Sequence, residues 1–287
     1  MASNTKGTYN IKLLSNFSFR VILTLLCLQA IVPWSAYAVN FYDGARAKQG
    51  TYFLTYTSLY AADEITDKNG DAGKKDFGLW SAQELLRLCY YSPDFVATAL
   101  VPLGYMEIDS LNQQSSGPGD INLGVGYFLP VQQVNILPMI FVEFPTGEYS
   151  SSKAANVGSN QYDIKPVLFF HKSFEKFSLD AAAKYFFRLK NDDTNVLPGD
   201  EFYLQCLFGY SLTDKFKLGP SINWMISKDK EIDGVEVKDS ARESLSAGAD
   251  IYYRFPWLSV TFTYLYDIYT ENSPRGQFFQ IKTVYRF

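Results

Sequence analysis

The chain has 287 residues, of which 47% are hydrophobic, 17% aromatic and 20% charged, so it carries enough apolar material for one large domain and is not disordered. One histidine and three cysteines leave little for a His-ligated metal centre or a disulfide framework, and no metal or cofactor is expected. A formal charge of −4 withholds the attraction that nucleic-acid binding needs.

The first element in chain order is an export signal. Lys6, Lys12 and Arg20 are the only charges in residues 1–38, and Val21 to Trp34 is an apolar stretch followed by Ser35-Ala36-Tyr37-Ala38. This pattern predicts a secretory signal peptide over residues 1–38, cleaved after Ala38. Leu26 before Cys27 is too large for a lipoprotein cleavage box, so no lipid anchor is expected. Residues 39–50 would form a periplasmic N-terminal segment and possible plug, and residues 51–287 the folded domain.

That domain alternates. In Leu258 to Ile268, Leu258, Val260, Phe262, Tyr264, Tyr266 and Ile268 share one parity, while Ser259, Thr261, Thr263 and Asp267 share the other. Period two is the mark of a strand with one apolar face. Twelve such segments are predicted, at 51–61, 79–91, 94–107, 119–129, 134–145, 161–171, 176–190, 201–212, 215–227, 242–255, 257–270 and 276–287. Most are ten residues or longer, the length a tilted membrane-spanning strand needs and about twice that of an ordinary soluble strand. Residues 79–91 resist phasing, because either Glu84 or Arg87 must point outward.

Short links such as Ser92-Pro93 and Thr213-Asp214 alternate with long polar ones at 62–78, 108–118, 146–160, 191–200, 228–241 and 271–275. Short turns at one rim and long loops at the other predict an all-β fold, a transmembrane antiparallel β-barrel with both termini in the periplasm. Tyr285 and Phe287 end the last strand as its assembly signal and enter the periplasmic aromatic girdle. The expected location is the outer membrane of a Gram-negative bacterium. Its partners there would be outer-membrane lipid, lipopolysaccharide and the barrel-assembly machinery. A secreted soluble sandwich shares the alternation, but strand length, loop asymmetry and the terminal Phe287 stand against it.

Twelve strands spaced about 4.8 Å and tilted about 40° close a backbone cylinder roughly 24 Å across. Its predicted lumen charges are Asp163, Lys165, Asp180, Lys184, Arg188, Asp250, Arg254, Asp267, Lys282 and Arg286, of mixed sign and therefore no simple ion filter. They line a path or pair across the lumen. Between Val134 and Pro145 both parities are apolar, with Leu137, Met139 and Phe141 on one of them. Phe128, Phe169, Phe186, Tyr203 and Phe278 are further apolar lumen candidates. Such patches suit apolar cargo, or pack against an inward-folded segment such as Val39 to Gly50.

Catalytic signals are weak. His171 lies next to the short turn at Lys172, as a rim histidine. Cys89 and Cys206 fall on the second and eighth segments and are expected as free thiols. Gly117-Pro118-Gly119 enters an alternating strand and reads as a turn, not a phosphate loop. The loop around Asp67, Asn69 and Asp71 lacks the glycine and downstream glutamate of a helix-loop-helix calcium site and reads as solvated loop.

Gly117-Pro118-Gly119-Asp120-Ile121, Phe144-Pro145-Thr146-Gly147, Tyr162 to Pro166 and Pro198-Gly199-Asp200-Glu201 stand in the order and spacing of the MetA-pathway phenol-degradation family. The chain resembles that family over Phe41 to Phe287. The resemblance implies a transporter-like outer-membrane barrel that passes small hydrophobic or aromatic solutes inward, with no substrate-binding residues to carry over. The expected function is therefore facilitated diffusion of such compounds. The alternatives are a general or weakly selective porin and a structural or adhesion barrel acting through its long extracellular loops.

Overall fold

The computed structural model describes residues 38–287, apart from the side chains of Lys74 and Lys75. The predicted signal peptide lies outside the described residues up to its last position, Ala38.

Alternating residues become strands because each sends one face to lipid and one to the interior. The barrel strands are β1 (Gly50–Thr66), β2 (Ala72–Tyr91), β3 (Phe95–Ile108), β4 (in two pieces, Gln113–Pro118 and Ile121–Tyr127), β5 (Asn135–Phe144) and β6 (Asp163–Phe174). They continue as β7 (Phe177–Arg188), β8 (Glu201–Ser211), β9 (Phe216–Ser227), β10 (Glu243–Arg254), β11 (Leu258–Glu271) and β12 (Pro274–Arg286). Neighbours pair antiparallel around the sheet, and β1 pairs with β12 from Tyr52↔Arg286 to Ile65↔Pro274, which closes the barrel and leaves no edge.

The outward face identifies the solvent. Leu88, Val101, Leu123, Ile140, Leu168, Leu204, Ile222, Phe262 and Ile281 stand exposed on successive strands as an apolar belt. Tyr90, Phe95, Tyr127, Phe174, Phe177, Tyr253, Phe255, Trp257, Tyr285 and Phe287 form an exposed aromatic ring at the short-turn end. Trp80, Tyr162, Phe187 and Tyr266 mark the other end. An apolar belt between two aromatic girdles is the surface of an outer-membrane barrel.

The structure departs from the expected boundaries in three places, the first being the long link expected at 271–275, which is only Asn272-Ser273 between paired strands. The loop read at 62–78 is mostly strand: β1 and β2 continue the hairpin through Ile65↔Lys74, and only a tight turn remains. There Asp67 Oδ1 accepts the amide hydrogens of Asn69 (2.8 Å) and Asp71 (3.1 Å). The loop read at 108–118 holds a single 3₁₀ turn, and Gln113–Pro118 then returns along β3. Paired β-structure satisfies backbone groups that a bare polar loop would leave to water.

Two ambiguous phases resolve. On β2 Leu85, Cys89 and the half-buried Arg87 face inward, where Arg87 donates to Thr98 Oγ1 (3.0 Å). Glu84 faces out and accepts from Thr57 Oγ1. On β5 Leu137 and Met139 are buried and Ile140 is 47% exposed, so the odd residues line the interior. Cys89 and Cys206 are free thiols.

Candidate functional site in the barrel lumen

Two segments of the chain fold into the interior, one from each end. From the short-turn end, residues 38–49 run up inside the wall to a buried Ala38. Val39 and Phe41 pack among Val96, Phe128, Leu137, Met139, Val167, Phe169, Ala182 and Leu207, with Phe141 partly buried beside them. Around this apolar seat the segment is tied by polar groups. Asn40 Nδ2 donates to Asp250 Oδ1 (3.2 Å) and Thr263 Oγ1 (2.9 Å), the Tyr42 amide donates to Asp180 Oδ1 (2.8 Å), and Asp43 pairs with Lys282. Of the two fates considered for the interior apolar residues, these take contact with an inward-folded segment.

The long-loop end is narrowed by the connection between β5 and β6. Its Ala154 and Ala155 are buried against Ala62, Phe77, Leu79, Met106 and Ile108. Gln113 Oε1 accepts both their amide hydrogens, at 2.7 and 3.3 Å. This connection was expected as an external polar loop. It folds inward instead because Ala154 and Ala155 have an apolar patch to cover.

Below that cap runs a chain of buried charges. Lys165 Nζ pairs with Glu143 (2.7 Å), Arg188 pairs with Asp163 (3.0 Å) and Glu201 (3.1 Å), and Arg242 pairs with Glu201. Asn122 donates to Glu143 (2.8 Å), Gln161 to Asp163 (2.9 Å) and the Tyr203 hydroxyl to Glu201 (2.6 Å). Burial makes an unpaired charge costly, so alternating signs around the wall satisfy one another.

The sequence-predicted lumen charges therefore divide. Asp163, Lys165 and Arg188 enter this chain, whereas Asp180, Asp250 and Lys282 hold the N-terminal segment. Lys184 is buried. Asp267 accepts from Ser246 Oγ (2.6 Å) and the Tyr60 hydroxyl (2.8 Å). Arg254 and Arg286 stand exposed at the short-turn end, where they donate to the backbone carbonyls of Asp214 (2.9 Å) and Gln49 (3.0 Å). Their parity is as read, but the wall ends there and water reaches them.

Among the apolar candidates, Phe186 and Tyr203 pack together with Met225, with Lys165 Nζ 4.8 Å from the Phe186 ring. Phe278 is half-buried and lines a cavity beside them. Glu143, Glu201, Arg242, Asn40 and Asp43 are site residues not singled out from sequence. The odd parity that carried Leu137, Met139 and Phe141 continues to Glu143, and that was the available signal. Arg242 begins the predicted segment 242–255 on the parity of Asp250 and Arg254, so the same signal pointed to it, although the strand itself starts one residue later.

His171 lies near the short turn as expected, three residues before the end of β6, but it is enclosed. It is 5% exposed, its Nδ1 donates to Asp180 Oδ1 (2.7 Å), and its Nε2 faces Ser173 Oγ at 3.0 Å. Serine, histidine and carboxylate in this order have the spacing of a hydrolytic relay. The Asp180 oxygen is shared with the Tyr42 amide, and the Tyr42 ring lies 5.4 Å from the imidazole, so the arrangement anchors the N-terminal segment.

The landmark motifs converge at the long-loop end. Asp120 accepts from the amides of Gly147 (2.8 Å) and Ser159 (2.6 Å) and from Ser159 Oγ (2.7 Å). A Cβ at Gly147 would lie 2.7 Å from Gly158 Cα, and one at Gly199 would lie 1.9 Å from the Lys228 carbonyl oxygen, so both positions need glycine. Asp200 accepts from Tyr185 and Lys228, each at 2.9 Å.

The signature of the family described as "Putative MetA-pathway of phenol degradation" matches residues 62–283, which contain all four motifs. The chain belongs to this family. The N-terminal segment precedes the matched region. An outer membrane channel from Pseudomonas putida F1 superposes with a TM-score of 0.77 at 20% identity, over 89% of this chain and 100% of that one. The translocator domain of the autotransporter NalP from Neisseria meningitidis gives a TM-score of 0.50 at 10% identity, over 95% and 98% of the two chains. At these identities the likeness is one of fold, a closed outer-membrane barrel. No curated protein gives a significant match.

Proposed function

We propose that this family member is an outer-membrane channel for facilitated diffusion of small hydrophobic or aromatic compounds, closed at rest by residues 39–49. The carrying observation is the apolar seat that takes Val39 and Phe41. A lumen wall that buries a phenylalanine ring offers the same surface to a solute ring once the segment leaves. The family description, which speaks of phenol degradation, and the channel fold of the Pseudomonas putida protein support the same reading. No energy source is needed, because a path with apolar patches lowers the barrier that a polar lipopolysaccharide surface sets against apolar solutes.

The buried charges from Glu143 to Arg242 favour a second reading, a weakly selective pore for polar solutes. Whole-cell uptake separates the two. In a Gram-negative host, expression of the chain should speed entry of labelled 4-methylphenol more than entry of glucose. Faster glucose entry with unchanged 4-methylphenol entry would give the pore reading instead.

A further inference from the structure

A cavity lies beside the N-terminal segment, on the side of the lumen formed by β8 to β12 with β1 and β2. Its volume is about 170 Å³, it opens toward solvent, and Ala38 forms part of its lining. Its wall combines two chemistries. Tyr203, Met225, Leu265 and Phe278 supply apolar surface. Gln205 and Asn223, directly opposite one another on β8 and β9, supply side-chain amides.

Those amides are incompletely used. Gln205 is 1% exposed, yet its Oε1 accepts no hydrogen bond among the described residues, and neither does Asn223 Oδ1. A buried acceptor without a donor costs free energy, and most buried polar groups are paired. The charges at the cavity border are, by contrast, already engaged. Asp267 accepts from Tyr60 and Ser246, and Arg242 pairs with Glu201. A charged ligand would have to compete with those partners, whereas a neutral one need not.

We infer that this cavity is a binding site for a neutral, hydroxyl-bearing aromatic molecule, its ring on the Tyr203, Met225 and Phe278 surface and its hydroxyl on the Gln205 and Asn223 amides. A hydroxyl suits this pair because it donates to an amide oxygen and accepts from an amide N–H, satisfying either orientation of each side chain. The inference rests on the lumen being a path for aromatic solutes and names the class that pauses on it.

The test is isothermal titration calorimetry of the refolded full chain in detergent micelles, with 4-methylphenol and its methyl ether 4-methylanisole as probes and empty micelles as blank. The two probes differ in the hydroxyl hydrogen. Wild type is expected to bind 4-methylphenol about tenfold tighter than 4-methylanisole, the scale of one well-made hydrogen bond in a buried site. Gln205→Met and Asn223→Leu should each remove most of that preference and leave 4-methylanisole binding nearly unchanged, with folding checked by heat-modifiable gel mobility.

Equal affinities for the two probes in wild type overturn the inference whatever the variants do, and so does a preference that survives both substitutions. Whole-cell uptake of 4-methylphenol without hydroxyl-dependent binding removes this site and leaves the channel reading standing. Hydroxyl-dependent binding without uptake supports the site and removes the channel reading.

Discussion

Phe262 stands 38% exposed in the middle of β11, and its register partner on β12, Ile281, is 45% exposed, so both meet lipid. Phe262→Arg is therefore expected to cost about 2–4 kcal/mol, the range for a cation at the midplane of a barrel's lipid face. Urea unfolding in lipid vesicles measures it, and unchanged stability would contradict the assigned face. The outward phase of such residues was legible from alternation alone, since each strand has two faces. The partners of inward residues were not. His171 looks like a rim residue because the turn follows at once, and only the fold brings Asp180 within 2.7 Å of its ring. Equally, nothing in the spacing of Asn40 and Asp250, 210 residues apart, announces their hydrogen bond.

Among the elements, the loop tie at Asp200 gives a pH prediction. Burial alone would raise this carboxyl, but hydrogen bonds from Lys228, the Arg188 amide and Tyr185 outweigh it and hold it below the ordinary carboxylate range. A lowered acid contributes stability that is present above the unfolded value and lost as pH falls through the folded one. The tie between the β7–β8 and β9–β10 loops should thus persist through the usual aspartate titration and loosen only at lower pH. Asp200→Asn should weaken it already at neutral pH. Limited proteolysis of residues 228–241 with an acid-active and a neutral protease follows both, and equal cleavage of variant and wild type would refute the tie.

Elements were legible where their pattern was regular: all twelve barrel strands fall on predicted segments. The exceptions have physical causes. Asp63 to Asp76 is charged enough to resemble a loop, but extended pairing beyond the bilayer is free to carry charge on both faces. The β5–β6 connection is polar at its ends and apolar in its middle, and a loop with that composition is drawn into the mouth.

At the scale of the molecule, one chain builds a membrane barrel and folds its N-terminal segment and its β5–β6 connection into the interior. The lipid-facing belt with its two girdles follows from composition and strand length, which is why the fold was readable. The inward-folded N-terminal segment was legible only as one of two alternatives, because a short segment such as 38–49 has no periodicity and its two apolar anchors, Val39 and Phe41, acquire meaning only when Leu137, Phe169 and Leu207 surround them. A tethered segment inside the barrel also accounts for an interior that holds both apolar and charged surface. The first receives the segment, and the second balances its own charges along the wall.

The most direct test of this account is single-channel conductance in a planar lipid bilayer, comparing refolded protein beginning at Val39 with protein beginning at Gly50. The account predicts an electrically quiet barrel when the segment is present and stable open steps when it is removed. Equal conductance of the two forms would contradict it, since residues 39–49 would then not be what closes the lumen.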